Sequence, residues 1–121
     1  MFGELKKVKA EFDAATQLTA MANVFEAIER TRHTHHIGAG GGIDSLPRGD
    51  QQNAVAILQK GMTKLAKVPP NVVTRELIKN MQVANGFGRA DRVSGMARLL
   101  DFLVEKQLAQ PLDSFLAENS Y

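Results

Sequence analysis

The longest regular feature of this sequence is a run of apolar residues at helical spacing that begins at Leu5 and ends at Ile28. Successive members lie three or four residues apart, which places them along one side of an α-helix. The members are Leu5, Val8, Phe12, Ala15, Leu18, Ala22, Phe25 and Ile28. We therefore predict a long helix over residues 3–31, and this helix is expected to organise the fold.

The spacing of this run is slightly shorter than one helical turn. The mean step from Leu5 to Ile28 is about 3.3 residues, below both the 3.5 of a heptad and the 3.6 of a straight helix. The apolar stripe therefore drifts around the helix, and a strict heptad would put Thr19 and Glu26 on its seam, against a long two-stranded coiled coil. Two interpretations remain open. The helix contacts different partners at its two ends, or it bends near residues 14–16.

Glycine and proline divide the rest of the chain. We predict a Gly-rich loop over 37–49, then helices over 51–66, 72–84 and 89–108 and a short fifth helix opened by Pro111. Asp50 is expected to cap the second helix, and Gly61 to allow a close helix crossing. Asn85-Gly86 is expected to end the third helix and Gln110-Pro111 the fourth.

No segment alternates apolar and polar residues in the manner of a strand. The sequence therefore predicts an all-α fold, a four- to five-helix domain with a long N-terminal helix and a Gly-rich loop between helices 1 and 2. The 121 residues have the length of one domain, so we expect a single helical domain over 1–121, with a C-terminal helical subdomain over 50–118.

The composition excludes several classes of protein. There is no cysteine, which excludes disulfides and thiolate catalysis, and the formal net charge is only +2, so total charge does not indicate nucleic acid or membrane. No run approaches the roughly 20 apolar residues of a membrane span. No apolar segment typical of a signal peptide follows Lys6 and Lys7. We expect a cytoplasmic protein without a membrane partner.

All three histidines fall between positions 33 and 36. If this segment is extended, His33 and His35 point to the same side and could bind one metal ion with a third ligand from elsewhere, so His33, His35 and His36 are the candidate metal ligands. Histidines near a helix C-terminus also interact favourably with the helix dipole, which makes a polar helix end the second interpretation. A contact sensitive to pH near neutrality is the third.

The glycines between 38 and 42 do not form a nucleotide-binding motif. A helix rather than a strand is predicted before them, and proline interrupts before the next helix. A hinge, or a contact where backbones approach closely, explains them better. No serine stands in a nucleophile-elbow context, and no carboxylate pair is placed for catalysis. The sequence therefore predicts no enzyme and no cofactor.

Positive charge is concentrated between Lys60 and Arg89. This stretch contains six lysines and arginines and one acidic residue, Glu76. Such a surface is typical either of a solvated helix face or of contact with phosphates. The candidate nucleic-acid-binding residues are Lys60, Lys64, Arg75, Lys79, Arg89 and Arg92.

The region 71–108 adds a helix, a turn at Gly86-Phe87-Gly88 and a second helix that begins near Arg89. This order resembles the helical part of winged-helix DNA-binding proteins, and the resemblance implies that the second helix would read DNA. The first helix and turn are longer than in the compact motif, and no β-hairpin wing follows.

The function that these observations favour is a non-catalytic helical protein–protein interaction protein that acts by helix docking and self-association. Assembly, adaptor and regulatory factors, including those of viruses and mobile elements, belong to this class. The expected interface residues are Leu5, Val8, Phe12, Leu18 and Phe25, because the long helix has more apolar positions than one neighbour covers. The alternatives are a DNA-binding transcriptional regulator that uses 71–108, and a His-cluster metal-binding protein.

Overall fold

The computed structural model describes residues 2–35 and 42–119. Within these ranges it contains a short 3₁₀ turn at Ile43–Ser45 and no strand. The helices are α1 (Phe2–His35), α2 (Arg48–Leu65), α3 (Pro70–Gly86), α4 (Ala90–Glu105) and α5 (Leu112–Asn119). The predicted all-α fold with a long first helix is confirmed. Over the described residues, no helix combines the length and apolar character that a bilayer span requires.

Helix α1 is the centre of the fold. It packs against α4 and α2, while α3 packs on α4 and α5 on α3. The core is formed where these helices meet, and its fully buried side chains include Leu18, Met21, Ile28, Leu65, Leu77, Leu99 and Leu103. Phe25 adds an aromatic contact across α1 and α4, with its ring centroid 5.5 Å from that of Phe102. All of the α1 residues in this core lie between Ala14 and Glu29.

Two buried glycines let the helices approach α1 closely. Gly61 of α2 lies against Met21, and a Cβ atom at Gly61 would overlap the Met21 side chain. The close crossing predicted at Gly61 is therefore confirmed. Gly95 of α4 lies against the α1 backbone, and a Cβ atom there would stand 2.7 Å from the backbone nitrogen of Glu26. The crossing at Gly95 was not predicted from the sequence.

The N-terminal boundary of α2 differs from the prediction. This helix begins at Arg48 with Pro47 in the capping position, so Asp50 lies in its first turn and does not cap it. A proline is suited to this place because the backbone nitrogens at a helix start need no intrahelical acceptor. Asp50 still stands at the positive end of the helix dipole, where a carboxylate is favourable.

The C-terminal ends of α3 and α4 also differ from the predicted ones. Helix α3 runs through Asn85 and Gly86, and it is Gly88, with a φ of 68°, that adopts the left-handed conformation. The Arg89 N–H then donates to the carbonyl oxygen of Ala84 at 3.0 Å, which closes the helix end.

Helix α4 ends in the same way, five residues before the predicted stop at Gln110-Pro111. Gln107 takes the left-handed conformation with a φ of 62°, and the Leu108 N–H donates to the carbonyl oxygen of Leu103 at 2.8 Å. The chain then returns to α3, where the Gln110 N–H donates to the buried Thr74 hydroxyl at 2.8 Å. This hydrogen bond holds the start of the α5 segment against α3.

Candidate interaction surfaces of the first helix

Residues 3–13 of α1, which we call the arm, lie outside the buried core. Residues 3–9 are all exposed, and the first buried residue of the helix is Ala14. The arm nevertheless carries three large apolar side chains, with Leu5 64%, Val8 64% and Phe12 71% exposed. Since these residues are three and four positions apart, they share one side of the helix, which we call the apolar face.

The apolar face points away from the core. At about 100° of rotation per residue, its centre lies roughly 150° around the helix from the centre of the buried α1 residues. The α1 helix is continuous through residues 14–16. The two ends of the helix have different surroundings, since residues 3–9 are exposed and the buried residues begin at Ala14.

The structure divides the five interface residues predicted from the sequence. Leu5, Val8 and Phe12 form the apolar face, whereas Leu18 and Phe25 are buried in the core at 0% and 9% exposure. The prediction is wrong for Leu18 and Phe25, because the drift turns this part of the stripe toward α2 and α4.

Charged residues border the apolar face differently on its two sides. Glu4 and Glu11 lie along one edge of the face, and Lys9 lies along the other, as follows from their positions on the helix. None of the three takes part in an ion pair within the described part of the chain. The face therefore has an acidic and a basic edge that are free to interact with another molecule.

The opposite side of the arm forms one wall of a groove of about 600 Å³, and the other wall is the C-terminal end of α2 with the turn at 66–69 that follows it. We call it the lysine groove, since its lining includes Lys6, Lys7, Lys9, Lys64 and Lys67. Two carboxylates, Glu11 and Asp13, also border it, and Ala10, Val68 and Pro69 supply apolar surface.

The structure distributes the predicted nucleic-acid-binding residues over several elements. Lys60 and Lys64 lie on α2, Arg75 and Lys79 on α3, Arg89 in the capping position of α4 and Arg92 inside α4. Of the six, only Lys64 lines the lysine groove. The three groove lysines of α1 were missed, although their clustering at the start of the chain was a visible signal.

Three of the predicted cations already have partners. Both Arg75 and Lys79 lie near the Glu76 carboxylate, at 3.8 and 3.5 Å. Arg92 is only 12% exposed, lies 3.0 Å from a Glu26 carboxylate oxygen and also donates to the Asn23 side chain. These interactions stabilise α3 and the α1–α4 contact.

Helix α4 is the helix that the winged-helix resemblance would place on DNA, and most of its length faces the core or carries negative charge. Its residues Gly95, Met96, Leu99, Leu100 and Leu103 are buried against the rest of the fold. The residues that it exposes after its first turn are Ala97, Asp101 and Glu105, so this side of the helix carries negative charge. A recognition helix contacts bases mainly with its N-terminal residues, and Arg89 at the start of α4 is exposed. The DNA-binding alternative that uses 71–108 therefore stays a prediction.

Glu29 is a buried carboxylate at the same α1–α4 contact. It is 4% exposed, and one of its oxygens lies 2.7 Å from Arg32 and 3.3 Å from Arg98. A buried carboxylate needs such partners because removing it from water is costly. Glu29 was not predicted from the sequence as a core residue, since a glutamate beside an arginine is usually solvated.

The histidine segment continues α1. His33 and His35 both belong to the helix, so the segment is not extended there as the predicted shared metal site requires. His33 Nδ1 lies 2.7 Å from the Asp91 carboxylate. This contact agrees with the interpretation of the histidines as a polar helix end. Among the described residues, no group of three His, Cys, Asp or Glu side chains is arranged to hold a metal ion. His36 and the rest of 36–41 lie outside the described residues, and the metal site stays a prediction.

Comparison with known protein families, with curated proteins and with solved structures finds no match to this chain. Its function is therefore inferred from the two sides of the arm.

Proposed function

We propose that this protein is a non-catalytic interaction protein that self-associates through the apolar face of the arm. The observation that supports the proposal is the exposure of Leu5, Val8 and Phe12, each above 60%, on one side of a helix. Single exposed apolar side chains are common, but a contiguous stripe of large ones exposed to water is typical of a contact surface. Docking of the helix on a partner would remove this stripe from water.

The partner that fits best is a second copy of the same arm. Leu5, Val8, Phe12 and Ala15 occupy the alternating seam positions of two heptads. When two such helices lie parallel and in register, the residue just before the first seam position (heptad position g) faces the residue five places later on the other chain (position e). Glu4 then faces Lys9 of the second copy, and symmetry repeats this pair on the other side of the seam.

The antiparallel arrangement is disfavoured by the same residues. With Val8 packed on Phe12 of the other chain, the two Lys9 side chains would approach each other, as would the two Glu11 side chains. Like charges at these positions are used by coiled coils to exclude an orientation. The charge pattern of the arm therefore favours the parallel pair.

The contact is short. Beyond Ala15 the same side of α1 carries Thr16, Thr19 and Asn23, which are polar and exposed. A seam of two heptads buries little apolar surface, so we expect an association that depends on protein concentration rather than an obligate dimer.

The test is the molar mass from size exclusion with light scattering over micromolar to millimolar protein concentrations. We expect the mass of the wild type to rise toward that of a dimer, and the Phe12→Ala variant to remain monomeric. The matched control is Phe87→Ala, which removes an equally exposed phenylalanine, 77% exposed, at the end of α3. A wild type that stays monomeric, or a loss of association in Phe87→Ala, would contradict the proposal.

Orientation is tested by disulfide formation, since the chain has no cysteine. In a parallel pair the two residues at position 5 are neighbours, so the Leu5→Cys variant should form a covalent dimer on mild oxidation. An antiparallel pair would instead link a Val8→Cys chain to a Phe12→Cys chain in a mixture of the two variants. This second result would retain self-association and reject the parallel arrangement.

A further inference from the structure

We infer that the lysine groove between the arm and the end of α2 binds the phosphodiester backbone of a nucleic acid. The inference does not depend on self-association. The groove lies on the side of the arm opposite to the apolar face, and of its lysines only Lys9 also borders that face. Lys6, Lys7, Lys64 and Lys67 therefore remain available to a nucleic acid when two arms pair.

The first step is the charge of the groove. Five lysines line it against Glu11 and Asp13. None of these five lysines is in an ion pair within the described ranges 2–35 and 42–119. Lys79, by contrast, already lies 3.5 Å from a carboxylate oxygen. Cations without a carboxylate partner are available to phosphates, and each phosphate that they neutralise releases bound counterions.

The second step is the shape of the groove. Its two walls come from α1 and from the end of α2 with the turn that follows, and they border a concave space of about 600 Å³. The sugar-phosphate backbone of one strand can lie in this space, between the lysines of the arm and Lys64 and Lys67. A flat membrane surface would contact only the rim.

The third step concerns selectivity. Among the described residues that line the groove none is aromatic, and their polar side chains are those of lysine, glutamate and aspartate. Contacts of lysine with phosphates position a protein on nucleic acid but do not distinguish bases, and stacking on aromatic rings is absent from this lining. We therefore assign binding without sequence preference, driven by charge.

The experiment is the fluorescence anisotropy of a labelled random-sequence DNA duplex and of a labelled single-stranded RNA, titrated with the full chain at several salt concentrations. If four or five lysines contact phosphates on the duplex, the logarithm of the binding constant should fall with the logarithm of salt concentration with a slope near about −4.

Matched variants locate the binding. Replacing Lys64→Gln and Lys67→Gln together should weaken binding roughly tenfold at low salt and reduce the slope by about 2. The control pair, Arg75→Gln with Lys79→Gln, removes the same charge from α3 and should leave both quantities near those of the wild type. Circular dichroism of each variant confirms that it is folded.

Three results would overturn the inference: no binding of either nucleic acid at low salt, an equal loss in the α3 control pair, or binding to vesicles rich in phosphatidylserine without binding to nucleic acid. The Phe12→Ala variant separates this test from the test of self-association. It is expected to bind nucleic acid per chain as the wild type does, even though it remains monomeric.

Discussion

At the scale of single residues, similar side chains of one apolar stripe have opposite surroundings. Phe12 and Phe25 both belong to the run of helical spacing that begins at Leu5, yet Phe12 is 71% exposed and Phe25 is 9% exposed. The residue type and the local spacing are the same at the two positions. What differs is the direction of the side chain after the stripe has drifted around the helix, together with the presence of α4 beside Phe25.

Gln107 offers a test of backbone strain at one residue. It ends α4 in the left-handed conformation, which costs a residue with a Cβ atom about 1 kcal/mol and costs glycine little. Gly88 already fills the same role after α3. We expect Gln107→Gly to raise the free energy of unfolding by about 1 kcal/mol and the melting temperature by roughly 4 °C.

Thermal unfolding followed by circular dichroism measures this effect. Gln107→Ala is the control, because it removes the same side chain but keeps the Cβ atom, and it should give no gain. If the glycine variant is less stable than the alanine variant, the left-handed backbone at Gln107 does not lower the stability of the protein.

At the scale of elements, the contact of α1 with α4 depends on the absence of a side chain at Gly95. A Cβ atom there would stand 2.7 Å from the backbone nitrogen of Glu26 and 3.1 Å from the carbonyl carbon of Phe25. Backbone atoms cannot rotate away, so the two helices would have to separate. We expect Gly95→Ala to lower the free energy of unfolding by about 3 kcal/mol.

The matched control is Gly86→Ala in α3, where an added Cβ atom meets no atom within 4 Å. This substitution should be neutral or stabilise by up to about 1 kcal/mol, because alanine loses less conformational entropy than glycine in a helix. Urea unfolding of the two variants gives the comparison. Equal stability of Gly95→Ala and Gly86→Ala would show that the helices do not meet as closely as described.

The boundaries of the elements show where sequence patterns are weakest. The order and type of the helices follow from apolar spacing, which is a property of neighbouring residues. Their ends depend on single hydrogen bonds, such as the one from the Arg89 N–H to Ala84, that compete with alternatives of similar energy. The end of α3 was therefore predicted too early, at Asn85-Gly86, although Gly88, the glycine that ends the helix, follows two residues later.

At the scale of the whole molecule, the arm is a helical extension with little tertiary support. Residues 3–9 are exposed throughout, whereas one side of the helix from Ala14 to Glu29 is buried against α2 and α4. A helix segment without buried neighbours opens easily. In dilute protein, we expect the amide hydrogens of residues 3–12 to exchange much faster than those of residues 18–29.

Hydrogen exchange read by mass spectrometry at low and high protein concentration checks this expectation. If the arms pair, protection of residues 3–12 should rise with concentration while the core stays unchanged. An arm that is as protected as the core in dilute protein would mean that it has a partner within its own chain. An arm that stays unprotected at high concentration would argue against the proposed self-association.

By itself, the sequence determined the all-helical fold, the order of the helices, the presence of a long first helix and the exclusion of cysteine chemistry. These properties depend on the spacing of residues that are close along the chain. Only the tertiary structure decided that Leu18 is buried while Leu5 is exposed, and that Lys6 and Lys7 lie across a groove from Lys64 and Lys67. Burial and charge clustering depend on where the other helices end against α1, and contacts between residues so far apart in sequence leave no periodic signal.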